Sequence, residues 1–217
     1  MKNLLDKELK LATSPLAWLF LLFSLMTFIP GYPILLGSFF VCLGLFHSFQ
    51  NAGEANDILY TALLPVRKND AVRAKFISVC FFELVAFLLM AVFTVIRMTV
   101  MSDSPVYKTN VMMNATPLYL AFVLIIFALF NLIFLRGFFR TAYKIGKPFI
   151  IFIVVTMITI GIGESLHHVP GLEFLNDPSG KRMGLQLAIL AAGAVIYAVV
   201  TFLSEKRSEY SFERIDL

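Results

Sequence analysis

Charge is scarce in this chain. Asp, Glu, Lys and Arg make up 15% of its 217 residues, against roughly 25% in ordinary globular domains. Hydrophobic residues make up 59%. That leaves too little polar surface for a water-soluble fold, and one compact membrane domain spanning 1–217 is the reading that remains. Cysteine is nearly absent. Cys42 and Cys80 both lie inside apolar stretches, which excludes a disulfide framework or a cysteine metal site. Sequence signatures of catalysis are missing too. There is no G-x-x-x-x-G-K-[ST] phosphate loop, and Gly180-Lys181 is only an echo of one. There is no H-E-x-x-H, no G-x-S-x-G and no pair of intramembrane aspartates, which argues against an intramembrane protease or lipid transferase. The chain is read as a non-enzyme that holds no cofactor. MKNLLDKELK carries both charge signs, and the apolar run after it is too long for a signal-peptide core.

What is present is apolar sequence in six stretches. Residues 16–50 are almost unbroken. As one helix they would reach about 50 Å at 1.5 Å per residue, well beyond a hydrocarbon core of about 30 Å. Pro30-Gly31-Tyr32-Pro33 breaks the run and predicts a tight turn. The predicted fold is therefore all-α, with spans at roughly 15–31, 33–50, 76–98, 117–135, 148–166 and 184–203. Pro15, Pro117 and Pro148 fall at first turns, where the missing N–H costs nothing. Pro170-Gly171 and Asp177-Pro178-Ser179-Gly180 mark the last loop.

Orientation follows from the basic residues. Lys2, Lys7, Lys10, Arg67, Lys68, Arg73, Lys75, Arg136, Arg140, Lys144, Lys147, Lys206, Arg207 and Arg214 lie on one side; Arg97, Lys108, Lys181 and Arg182 lie on the other. The positive-inside rule then puts both termini in the cytoplasm of a multi-pass plasma-membrane protein. This topology accounts for the net charge of +4 without a nucleic-acid partner. Leu4, Leu5, Leu9 and Ala12 share one face of the N-terminal segment, consistent with a helix lying at the interface.

The loop at 51–75 reads NAGEANDILYTALLPVRKNDAVRAK. Ile58, Leu59, Ala62 and Leu63 fall at helical spacing, and Glu54 and Asp57 sit where the helix dipole favours negative charge. Pro65 ends this short amphipathic helix. Asn69 or Asp70 caps the next one, which carries Arg73 and Lys75 into the third span. The short helix is too polar for lipid and too apolar for water, so it needs a protein surface or the membrane interface.

This segment resembles the ATP-binding cassette type-2 permeases, in particular their small six-span bacterial members. In those proteins the first cytoplasmic loop carries an acidic stretch, a leucine-leucine-proline turn and basic residues leading into the third helix. Here the matching positions are Glu54, Leu63, Leu64, Pro65, Val66, Arg67, Lys68, Asp70 and Lys75. The serine usual before the turn is replaced by the neighbourhood of Thr61 and Ala62. The resemblance implies a coupling helix that docks on a separate P-loop ATPase subunit, where ATP and Mg are bound. The contact would involve Glu54, Asp57, Ile58, Leu59, Leu63, Pro65, Arg67 and Lys68. It also implies a second permease copy or homologue, and export of amphipathic or antimicrobial peptides or other hydrophobic compounds. A gradient-driven transporter or channel, or a non-transporting sensor or assembly subunit, is the alternative.

Inside the spans, Glu83, Asn131 and His47 lie at similar depth on the termini side. They are candidates for a polar lining of the translocation path or for interhelical hydrogen bonds. Glu164, His167 and His168 have i, i+3, i+4 spacing, a weak metal-binding geometry. Ordinary interfacial polar residues account for them as well. Gly184, Ala188 and Ala192 form a small-residue stripe suited to close helix packing, and Arg97 is expected to extend outward to the surface.

Overall fold

The computed structural model describes residues 2–55, 57, 66–108, 110–141, 144–177 and 182–215, and among these all regular structure is helical, with no strand. Helix α1 (Lys2–Lys7) runs on as a π turn over Glu8–Ala12. Ser14 then caps α2 (Pro15–Phe20), accepting from Leu16 N at 3.2 Å. A 3-10 stretch, Leu21–Phe28, continues α2. The chain turns at 29–35, where Gly31 adopts φ 69°, a left-handed value that favours glycine. Helix α3 (Leu36–Glu54) returns. Helix α4 (Lys68–Thr99) is followed by α5 (Pro105–Lys108), then α6 (Pro117–Leu129), which passes through a π segment, Phe130–Leu135, into α7 (Arg136–Thr141). Helices α8 (Gly146–Leu166) and α9 (Met183–Glu213) complete the bundle, with a 3-10 turn, Glu173–Asn176, between them.

Among the described residues, four helices are long and apolar enough to cross a membrane: Lys68–Thr99, Pro117–Thr141, Gly146–Leu166 and Met183–Glu213. A fifth is added if the pair Asn3–Lys10 and Pro15–Phe28, bent by 74°, counts as one span. The six-span expectation thus stands in part. Pro15–Phe28 covers only roughly 25 Å, with its second half in 3-10 form. Helix α3 has the length, but its last turns carry His47, Ser48, Gln50, Asn51 and Glu54, which lower its apolarity. Its packing is tight all the same. A Cβ on Gly44 would come within 2.6 Å of Phe20 Cβ, so the absence of a side chain there lets α2 and α3 touch.

The 117–141 helix is central. Its apolar stretch is 72% buried, against 17% for α9 and 28% for α8. Ile150, Val154, Ile158 and Ile162 on α8, and Leu185, Val195, Val199 and Phe202 on α9, are exposed apolar side chains of the kind lipid covers. Phenylalanine fills much of the core near the termini. Phe46 stacks on Phe149 with centroids 3.7 Å apart, and Phe49 packs edge-on to Phe134 and Phe138. The stripe at Gly184, Ala188 and Ala192 is exposed, and nothing approaches Gly184. The close helix contact on α9 falls instead at Gly193, whose added Cβ would meet Ala121 at 3.2 Å.

Candidate functional site

Helices α4 and α9 are 32 and 31 residues long. At 1.5 Å per residue each reaches about 45–50 Å, so both project beyond a hydrocarbon core of about 30 Å. Their projecting ends meet beside the termini. Arg73 Nε donates to Glu209 Oε1 at 2.5 Å and lies 3.7 Å from Glu205. Asn69 Nδ2 donates to Glu213 Oε1 at 2.7 Å, and Lys68 Nζ to the Ile215 carbonyl at 2.6 Å.

The other side of α4 is tied to the N-terminal segment. Lys75, 8% exposed, places its ammonium 2.9 Å from Glu8 Oε2, 3.0 Å from Asp57 Oδ2 and 5.6 Å from the Phe49 ring centre. Lys7 pairs with Asp57 and lies 3.4 Å from Glu8. Two cations and two carboxylates from α1 with its π turn, the loop and α4 form one network. Burial alone would raise the Asp57 carboxyl. Lys75 and Lys7 outweigh it and hold that group below the usual carboxylate range. Glu8 is buried on the face that packs inward, alongside Leu4. The π turn Glu8–Ala12 sits where Glu8 meets Lys75.

Of the loop residues singled out in the sequence, Asp57 joins this network and Lys68 holds Ile215. Glu54 is exposed at the end of α3, and Arg67 is exposed at the start of α4. Ile58, Leu59, Leu63 and Pro65 lie outside the described residues.

The intramembrane polar residues fall into two groups. Glu83 Oε2 accepts from Asn131 Nδ2 at 3.0 Å and from the Tyr197 hydroxyl at 2.7 Å, and Asn131 Nδ2 also reaches Thr201 Oγ1 at 3.0 Å. Glu83 and Asn131 are fully buried. This knot ties α4, the π segment and α9 together. Glu83 Oε1 and Asn131 Oδ1 find no hydrogen-bond partner among the described residues. The sequence reading missed Tyr197 and Thr201. Their i, i+4 spacing on an otherwise apolar helix face is the signal that would have found them. His47 stands apart, half-buried with its ring against Phe20 and Phe46.

At the far end of the bundle, Glu164 Oε2 accepts from Met113 N at 2.8 Å and His167 Nε2 meets the Val111 carbonyl at 3.0 Å, with the His168 ring 4.0 Å from that of His167. Glu164 and His167 hold the 111–113 backbone. Among the described residues no three His, Cys, Asp or Glu side chains gather in metal-binding geometry. Arg97 does not reach the surface. It is 4% exposed, donating to Thr27 O at 2.7 Å and Asn114 Oδ1 at 3.0 Å, with Tyr107's ring centre 4.2 Å away. The carbonyl at the end of the 3-10 stretch draws it inward.

The family model of the ABC-2 family transporter proteins matches residues 3–207. The chain belongs to that family, whose members are membrane permease subunits of ABC transporters rather than the ATPase, and which work with a separate ABC ATPase subunit. It is accordingly a multi-pass membrane protein. No curated protein and no solved structure matches it.

Proposed function

We propose that this chain is the membrane half of an ATP-driven exporter and that the 51–75 segment is its mechanical input. Both termini face the cytoplasm in this reading, as the basic residues favour. The network joining Lys75, Asp57, Glu8 and Lys7 carries the proposal. Mechanical coupling needs a packed joint between elements, not a slack connector. Here Asp57 of the loop is held to α4 and to the N-terminal segment, and α4 is strapped to α9 through Arg73 and Asn69. A push on the loop therefore moves α4 as a rod. About 12 Å further along that rod lies Glu83, bound to Asn131 and Tyr197.

In this reading the Glu83 knot lies on the translocation route and parts when α4 shifts against α9, while His47 stays outside it. A second copy or a homologue completes the route, since one chain is too small to enclose a wide path. The cargo is an amphipathic or antimicrobial peptide or another hydrophobic compound, a class favoured by apolar spans with few charges. Glu54, Asp57, Ile58, Leu59, Leu63, Pro65, Arg67 and Lys68 form the contact with the ATPase.

The test is co-purification with a P-loop ATPase subunit and measurement of its turnover. Glu54→Lys and Pro65→Ala are expected to keep the bundle folded and to abolish stimulation of ATP hydrolysis. Cargo movement by the purified bundle with no ATPase present would end the proposal. Glu83→Gln keeps both hydrogen-bond partners within reach and is expected to fold, with altered transport; transport at the wild-type rate would reduce the knot to a packing device.

A further inference from the structure

The knot around Glu83 leaves two atoms over. Glu83 is 1% exposed and stands at the middle of the 32-residue α4, as far from either end as that helix allows. Its two donors, Asn131 Nδ2 at 3.0 Å and the Tyr197 hydroxyl at 2.7 Å, both go to Oε2. The other oxygen, Oε1, is buried with no partner among the described residues, and so is the carbonyl oxygen Oδ1 of Asn131. An ionised carboxylate carries its charge on both oxygens, and each accepts donors. Two donors on one oxygen and none on the other is the pattern of a neutral acid, with one carbonyl oxygen and one hydroxyl.

The surroundings agree. No Lys, Arg or His lies within ion-pairing distance of Glu83 among the described residues. The titratable groups that face it are Cys42 from α3, Cys80 on α4 itself and Tyr197 from α9; the π segment brings only the amide of Asn131. Thiols and phenols are ordinarily neutral near neutral pH, so none of these balances a negative charge. A lone ionised carboxylate at this depth is expensive. Asn131 offers the remedy. A carboxylic acid and a primary amide can join through two parallel hydrogen bonds, from the amide N–H to the acid carbonyl and from the acid O–H to the amide carbonyl. The first of these is present at 3.0 Å. The two atoms needed for the second are the two left over.

We propose that Glu83 is a proton-binding site, in which Oε1 carries a hydrogen, donates it to Asn131 Oδ1 and closes a ring between α4 and the π segment. When the helices part, the ring opens, the proton passes from Oε1 to water and the carboxylate keeps the electron pair. Closing the ring takes that proton back from water. Acid therefore favours the closed knot and alkali the open one. The site stands on the permease chain alone. It needs neither an ATPase nor a place on the translocation route, so it fails separately from the exporter mechanism.

The test is infrared difference spectroscopy of the purified full chain in a neutral maltoside detergent at neutral pH, wild type against Glu83→Gln and against Asn131→Leu. The first difference is expected to show the carbonyl stretch of a protonated acid, lost in Glu83→Gln, with no carboxylate stretch lost beside it. Asn131→Leu keeps the acid but removes its amide partner, so the same band should move to higher frequency. That arm leaves Glu83 in place and remains decisive if Glu83→Gln does not fold. A carboxylate stretch in place of the acid band overturns the bound proton. A carboxylate stretch that shifts when sodium replaces choline in the buffer does so too, and assigns the two oxygens to a metal ion instead. An acid band unmoved in Asn131→Leu overturns the ring.

Discussion

The two ends of the bundle handle buried charge in opposite ways. Beside the termini, Lys75, Glu8 and Glu209 are buried and each meets an opposite charge from another element or turn. At the far end, Arg97 is just as buried, but its partners among the described residues are neutral groups next to a cavity. A charge satisfied inside the chain acts as a joint, since breaking it exposes an unpaired ion and so resists slippage. A charge left unsatisfied acts as a socket. The molecule therefore separates an end braced by ion pairs from an end that holds a buried cation beside a cavity, with the Glu83 knot between them.

The sharpest way to break this contrast is Lys75→Met. It removes the most buried cation of the network and leaves Glu8 and Asp57 to Lys7, and a loss of about 3 kcal/mol is expected, read as a fall in the denaturation midpoint in detergent, together with lost ATPase stimulation. Arg97→Met at the opposite end removes a charge that no carboxylate among the described residues pairs with. It strands only neutral acceptors, with an expected cost of about 1–3 kcal/mol. A cost equal to that of Lys75→Met would erase the distinction between the ends.

Acid provides a gentler probe. Because Lys75 and Lys7 depress the folded-state value of Asp57, its contribution to stability is complete above the unfolded value near about 4. The contribution is lost as pH falls through the lower folded value. Thermal melts of the wild type in detergent should therefore show a loss of stability below about pH 4 that is smaller in Asp57→Asn. The smallest effect belongs to Arg73→Ala. That side chain is 42% exposed, so solvent screens its pair and the melt should barely move, with ATPase coupling reduced more than stability.

Much of the architecture was legible because it follows from apolar length. The boundaries near 117 and 146, and the Pro30–Pro33 turn, all announce themselves through prolines and changes in polarity. The first two stretches were harder. Hydropathy registers that 15–31 is apolar, but not that half of it winds as a 3-10 helix too short to span. Helix α4 begins eight residues before the predicted span and α9 continues ten residues past it, since charged residues hold a helix outside lipid as well as apolar ones do inside. The site was legible one residue at a time but not as pairs. Glu83 and Asn131 were picked out by cost, yet their partners Tyr197 and Thr201 look ordinary on an apolar helix. Glu8 and Lys75 are 67 positions apart, and no local pattern predicts that the π turn after α1 carries a buried carboxylate.

The π segment at Phe130–Leu135 sets the rotational phase of everything that follows it. A π turn absorbs one extra residue, so a deletion that restores α winding would hold α7 near its present phase, whereas one further insertion would turn it through about 100°. Phe138 would swing off Phe49, and Phe139 off Phe76 and Phe212, whose rings now lie 4.9, 5.9 and 5.6 Å away. A widened turn deep in the bundle thus works as an indexing gear for the aromatic seam near the termini, and a further insertion in this stretch should be far less tolerated than a deletion or a substitution.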